Sequence, residues 1–419
     1  MIIANNDSAT TPAVTPVAID VLANDTLDGN PVTLGALAGP PTVTSPPAHG
    51  TVVWNPATNS FDYTPAPGFC GTDTFEYEIE TAPPPVNTLA PSIAGDPYIG
   101  ETLTATPGTW TGSDSVSGEW YVDGVATGDT DTSYTILLAD AGKPVEYRET
   151  ATNGAGSVTQ ASNTISIGSL TVQVQALFGK YSAAGGMWDF TDMSTLFQDS
   201  AGSTPVTASG QSIGLVLDLS GSGNPFYMST SSQRPSWVGS RLVTDGIDDR
   251  MFTDAVDFST ASGYTIGVRM SADLSVNQYP TIITCDRHPW LSPNNSFGIF
   301  YNTDSVRLEA FNRRPGGHIW RALPQPSVVT PEYTLVSSGK ASFSGAADGV
   351  GFWKGGVYVP LSADASATGA LPNAPITIGS SVDGYYFSQT SYARAFAIAA
   401  EVSAEDRAIV EAWLAEVAP

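Results

Sequence analysis

Glu76, Glu78 and Glu80 stand at alternate positions, the spacing at which one face of a strand presents paired carboxylates for acid–base work on a glycosidic bond. They fall in a segment whose other features describe a small sandwich module with no cleft-forming sheet. On such a strand alternate carboxylates mark the solvent face. Residues 169–419 contain no comparable Glu-x-Asp-x-Glu run. The chain has only three histidines, His49, His288 and His318, and His49 sits in a Pro-x-His-Gly turn. No Ser/His/Asp, Cys/His or Gly-x-Ser-x-Gly arrangement and no phosphate loop is present. The expectation is a protein without catalytic activity.

Binding chemistry is better represented. Asp286-Arg-His-Pro-Trp290 and Phe311-Asn-Arg-Arg-Pro-Gly-Gly-His-Ile-Trp-Arg321 gather Arg287, His288, Trp290, Arg313, Arg314, His318, Trp320 and Arg321 in an otherwise acidic chain. Exposed aromatics beside arginines suit a sugar face or an anionic protein partner, through stacking and bidentate hydrogen bonds. The same residues also fit a plain structural role, with Trp290 and Trp320 in the core and the arginines neutralising nearby Asp at the rim. Two acidic turns offer oxygen ligands of the kind calcium takes: Asp245-Gly-Ile-Asp-Asp249, with Asp245, Asp248 and Asp249, and Asn24-Asp25 taken with Asp73. Neither is a full ligand loop, and Asp/Gly turns are common in β-proteins. No cofactor is expected; calcium is the one ion these turns leave open.

The elements that must carry these residues are strands. Gly and Pro number 41 and 31 and charged residues make up only 14%, the composition of short strands joined by many tight turns. The net charge of −25 is uneven: residues 1–168 hold 19 acidic and two basic side chains, and the first basic residue is Lys143. A surface of that sign repels nucleic acid and anionic membranes, so neither is an expected partner. Cys70 and Cys285 fall in different expected domains, so no disulfide is expected, and no C-x-x-C metal spacing occurs. No run approaches the length needed to span a membrane. Met1-Ile-Ile-Ala-Asn-Asn-Asp7 lacks the basic and apolar regions of a secretion signal.

In chain order, Pro16-Val-Ala-Ile-Asp-Val-Leu-Ala-Asn-Asp25 alternates as a half-buried strand and ends in an Asn-Asp turn. His49-Gly-Thr-Val-Val-Trp-Asn55, Phe61-Asp-Tyr-Thr-Pro65 and Gly68-Phe-Cys-Gly-Thr-Asp-Thr-Phe-Glu-Tyr-Glu-Ile-Glu80 complete a β-sandwich over residues 1–81. This order of pieces resembles the bacterial Ig/cadherin-like tandem modules of surface and phage proteins. Cys70 replaces a small polar residue of that pattern and reads as buried or half-buried. Residues 82–90 read as a stiff Pro-rich linker. Gly108-Thr-Trp110, Glu119-Trp-Tyr-Val-Asp-Gly124, Val145-Glu-Tyr147 and Ala151-Thr-Asn-Gly-Ala-Gly156 resemble a second bacterial Ig-like module over 91–168, with Trp120 as its core tryptophan.

Residues 169–419 hold too many alternating strands for one Ig module and suit a two-sheet jelly roll. Val172-Gln-Val-Gln-Ala-Leu-Phe178 leads into Met187-Trp-Asp-Phe-Thr-Asp-Met-Ser-Thr-Leu-Phe-Gln-Asp-Ser-Ala-Gly202 and Leu217-Asp-Leu-Ser-Gly-Ser-Gly-Asn224. These stretches resemble the start of the concanavalin A-like (laminin-G-like) jelly-roll domain of tailed-phage virion proteins. Trp188 is expected in the core, Asp192 as the cap of a helical turn, and Gly202, Gly221 and Gly223 at tight corners. Only the C-terminus reads as a helix: Ser403-Ala-Glu-Asp406 has the form of a capping box, and Ile409, Val410, Trp413, Leu414 and Val417 share a face.

The expected fold is therefore all-β: two Ig-like sandwiches, then a concanavalin A-like jelly roll with a C-terminal helix. The resemblance implies a virion structural protein (a head fibre, capsid decoration or tail-associated fibre) on the particle surface. It would touch a host-surface glycan, dock on other capsid or tail proteins, and form a homo-oligomer. The alternative is a bacterial cell-surface adhesin or the carbohydrate-binding component of a secreted system.

Overall fold

The computed structural model describes residues 2–273, 281–285, 296–302, 307–314, 317–322, 332–341, 350–359, 371–380 and 389–416. Contacts divide the chain into two compact units, Met1–Ile167 and Gly168–Pro419. The architecture is nearly all β.

In the first unit, Val17–Ile19, Ser60–Pro65 and Gly50–Asn55 form one antiparallel sheet, and Thr42–Ser45 pairs with Glu76–Glu78. The 50–65 hairpin turns through Asn59, whose φ of 53° is a left-handed conformation that asparagine tolerates. Its core is Val21, Leu22, Val32, Leu37 and Phe61, with Trp54 and Phe75 edge-on to Phe61 at 5.2 and 5.5 Å. Glu76, Glu78 and Glu80 are exposed while Tyr77 and Ile79 turn inward, so the glutamates are the solvent face of the strand. Cys70 is exposed rather than buried or half-buried, because its segment is a surface turn after Gly68 and packs nothing over the thiol.

The second sandwich of this unit is built on the long pair Ser115–Val122 and Pro144–Asn153. Trp120 is fully buried between Tyr134 and Tyr147, and its indole N–H donates to the Asp131 carbonyl at 2.7 Å. Part of the expected linker belongs to this sandwich, since Val86–Leu89 is a strand paired with Thr109–Thr111. Gly154 meets the chain at Gly35–Ala36 so closely that a Cβ there would lie 2.3 Å from the Ala36 nitrogen.

Among the described residues the second unit is a sandwich of two antiparallel sheets, one of nine strands and one of eight, that share an apolar core. The strand Gly185–Asp189 enters the eight-stranded sheet beside Gln389–Ile398, which pairs on its other side with Gly263–Asp273. Trp188 is fully buried against Phe226 at 4.3 Å, and its indole N–H donates to the Asn224 carbonyl. Asp189 forms a buried ion pair with Arg394 at 2.8 Å. Asp192 accepts from the Ser194 amide and caps a short helical turn, Met193–Thr195. Asp199 and Asp218 accept backbone amides around their own turns, where Gly202, Gly221 and Gly223 have positive φ. The acidic residues of the opening stretch are thus turn caps and an ion-pair partner.

Two α-helices lie among the described residues, one more than the sequence suggests. The unforeseen one, α1 (Leu170–Lys180), starts at Ser169, whose hydroxyl accepts from the Val172 amide. Val174, Leu177 and Phe178 bury its inner face at helical spacing. The C-terminal helix α2 (Ala404–Ala415) buries Ile409, Val410, Trp413 and Leu414; Val417 lies outside the described residues. Half of its expected capping box forms. The Ser403 hydroxyl accepts from the Asp406 amide, but the Asp406 carboxylate binds Lys180 at 2.9 Å, the Tyr181 hydroxyl and the Ser403 hydroxyl instead of the Ser403 amide. The Ser403 amide donates to Tyr181 in its place. Asp406 joins the two helices, and its carboxyl is held below the usual range despite burial, by Lys180, Tyr181 and Ser403.

Candidate functional site

Five of the eight residues of the basic–aromatic set lie on one hairpin. Arg307–Arg314 pairs with Gly317–Ala322, and the latter is the last strand of the nine-stranded sheet among the described residues. The register sets Arg313 opposite His318, Arg314 opposite Gly317, Phe311 opposite Trp320 and Ala310 opposite Arg321. Sequence separation is thereby cancelled, because positions well apart along the chain become cross-strand neighbours. The strand Arg307–Arg314 is anchored from behind. Leu308, Ala310 and Asn312 are fully buried, and the Asn312 amide donates to the Lys340 carbonyl at 3.1 Å. On the alternate positions Phe311 meets Phe300 edge-on at 5.5 Å, and Arg313 is half-buried. Arg287, His288 and Trp290 lie outside the described residues.

The acidic turn closes as a compact set. Asp245, Asp248 and Asp249 each bring a carboxylate oxygen within 4.8 Å of the others. The Asp245 carboxylate accepts the amides of Ile247, Asp248 and Asp249, and Gly246 supplies a φ of 78°. Asp249 is 7% exposed and returns a hydrogen bond by accepting the Asp245 amide at 3.0 Å. Burial first, then the charges of Asp245 and Asp248, push its carboxyl up to about 7. Three close carboxylates can hold either a proton or a hard cation; their hydrogen bonds account for the turn without one.

Asp73 does not join Asp25. Its carboxylate accepts the Ala48, His49 and Thr74 amides and the Tyr63 hydroxyl, which hold it below its usual range. That turn also stacks the His49 ring on Phe69 at 4.4 Å. A further feature had no sequence signal: the second Ig-like sandwich carries a cleft of about 670 Å³ lined by Trp110, Tyr147 and Glu149. Glu149 is buried and accepts both the Gly108 amide and the Trp110 indole N–H, at 3.0 and 2.9 Å. The cleft is formed where Pro107–Trp110, the strand Ser115–Val122 and the strand Pro144–Asn153 meet.

No curated protein matches the chain. Among solved structures, a GH54 α-L-arabinofuranosidase soaked with a cyclic sulfate inhibitor aligns at TM-score 0.41 and 9% identity, over 57% of this chain and 64% of that one. Trypanosoma rangeli sialidase in complex with sialic acid aligns at 0.38 and 10%, over 77% and 52%. The botulinum neurotoxin serotype C1 binding domain aligns at 0.34 and 10%, over 48% and 50%. The chain spans about half the length of the last two. At these scores the likenesses assign no activity. One family model matches, for residues 2–83, and identifies that segment as a bacterial Ig domain.

Proposed function

We propose that the chain is a non-enzymatic structural protein of a tailed-phage particle surface. Its Ig-like sandwiches space a lectin-like sandwich, and the hairpin Arg307–Ala322 makes weak contact with a host-surface glycan. The observation that carries the reading is the register, which sets Arg313 opposite His318 and Phe311 opposite Trp320 at one set of alternate positions of this hairpin, in a chain of net charge −25. An aromatic ring stacks on a sugar face while guanidinium groups donate paired hydrogen bonds to its hydroxyls or carboxylate. The bacterial Ig domain at residues 2–83 supports a modular, displayed protein. Docking on other capsid or tail proteins and homo-oligomerisation belong to the same reading.

A glycan array with the full chain and the variants Trp320→Ala and Arg313→Ala tests the contact. Loss of binding in both variants is expected, and unchanged binding returns these residues to a structural role. Mass spectrometry of purified particles tests the setting: absence of the chain from virions, with display on the bacterial surface, favours an adhesin. A reducing-sugar assay that detected turnover of host polysaccharide would overturn the non-enzymatic reading.

A further inference from the structure

We propose that the cleft of the second Ig-like sandwich binds an alkylammonium group, of a lysine side chain or a free amine, beside Trp110 and the carboxylate of Glu149. The cleft lies where the inner face of the sandwich is left uncovered. Val116, Gly118 and Trp120 share one face of the strand Ser115–Val122, opposite Ala151, Glu149 and Tyr147 in that order. Trp120 is fully buried, yet Val116 on the same face is 44% exposed, so the core ends between them. Gly118 makes the room: a Cβ there would lie 1.8 Å from the Tyr147 hydroxyl oxygen. Tyr147 therefore passes over Gly118 to line the cleft, with Trp110 half-buried on another wall.

Glu149 is only 3% exposed, and what it exposes is on the cleft. Its bonds from the Gly108 amide and the Trp110 indole N–H both fall on Oε2. Oε1 takes neither and remains as an acceptor toward a ligand. Burial first, then the charges of Glu149 and Asp129, push the Tyr147 hydroxyl up, so two carboxylates act on the same region.

No basic side chain of residues 1–168 answers them. That stretch contains only Lys143 and Arg148. Arg148 occupies the other face of its strand, where it pairs with Glu146 and lies over the Tyr121 ring at 4.1 Å. Lys143 precedes the strand and is six residues from Glu149, roughly 20 Å along an extended chain. An anion would be repelled here, and a neutral sugar would leave the charge of Glu149 unanswered. One carboxylate beside an indole and a phenol falls short of the six or more oxygens that calcium takes. An ammonium suits all three groups. Aromatic rings attract it through their quadrupoles, and its three protons can reach Oε1 and the hydroxyls of Tyr147 and Thr130. A cleft of about 670 Å³ also accommodates the alkyl chain.

Titration of the full chain with butylammonium chloride, followed by the indole N–H resonances in nitrogen–proton correlation spectra, tests the assignment. The Trp110 signal is identified by its loss in Trp110→Phe, and it reports on Glu149 because the two are hydrogen-bonded. It should move saturably, with a midpoint on the order of 1–10 mM for so small a ligand. Butanol, which has the same chain without the charge, and sodium chloride at equal concentration should leave it in place. Glu149→Gln keeps an acceptor for both N–H groups and removes the charge, and it should raise the midpoint about tenfold or more. Val116→Phe fills the cleft from an exposed position and should do the same. Unmoved signals from the other tryptophans show that each variant is folded. The proposal is overturned by a wild type with no saturable shift, by an equal response to butanol or to sodium chloride, or by an unchanged midpoint in either variant. A response to methyl glucoside without one to butylammonium would make this a sugar cleft and overturns it as well.

Discussion

At the scale of single residues, the acidic side chains of this chain differ by what neutralises them. Asp189 and Arg394 are both nearly buried, and Arg394 also reaches Glu416 at 3.0 Å. Removing one partner of such a pair strands the other charge in the core. Asp189→Ala should therefore cost about 3 kcal/mol in urea unfolding. Asp249 is the opposite case. Its folded-state carboxyl sits at about 7, above the unfolded value near 4, so the folded state binds the extra proton. The stabilisation is complete below about pH 4 and is lost as the pH rises through 7. Asp249→Asn should flatten that slope in thermal melts between pH 5 and 8, gaining about 2 kcal/mol at the alkaline end. A slope unchanged by the substitution would mean another group titrates there. At this scale the sequence exposes identities but not pairings. Asp73 and Asp25 look like co-ligands along the chain, yet one caps the Ala48–His49 turn and the other lies under Tyr77.

At the scale of elements, alternation identifies most strands, because half-buried strands separate apolar and polar faces with period two. Helix α1 escapes that reading because Val172 and Val174 alternate with glutamines, which is strand-like over five residues; the helical spacing of Val174, Leu177 and Phe178 decides it once α2 packs beside it. Trp413 is fully buried, and its indole N–H donates to the Thr171 hydroxyl at 3.3 Å. Trp413→Ala should cost about 3–5 kcal/mol, read as a lowered urea midpoint. Gly185 opens the first strand of the sandwich with a φ of 150°, and a Cβ there would lie 2.0 Å from the Ala397 carbonyl oxygen. Gly185→Ala should thus push that strand off Gln389–Ile398 and lower the melting temperature by several degrees. A melt within one degree of wild type would show that the sandwich tolerates a displaced strand.

At the scale of the molecule, Gly168–Pro419 has its own two-sheet core and its own pair of helices. Produced alone, residues 168–419 should unfold in one cooperative calorimetric transition, and the full chain should add at least one more for residues 1–167. A non-cooperative melt of the isolated piece would mean that the units stabilise each other. The acidic balance makes a further outcome firm at this scale: duplex DNA should show no mobility shift with the full chain, even at low salt.

The sequence by itself determined the class of the fold, the placement of Trp120 and Trp188 in cores, and the acidity of the first 168 residues. These depend on local periodicity and composition, which need no knowledge of what lies opposite. Tertiary structure alone decided what crosses between strands and helices. It set Trp320 opposite Phe311, joined Asp406 to Lys180 and Tyr181 as well as to its own helix cap, left Cys70 in water, and brought the Tyr77 hydroxyl onto Asp7 and the Val21 carbonyl. The physical reason is distance along the chain: such partners are chosen by register and packing, and neither is written in the spacing of neighbouring residues.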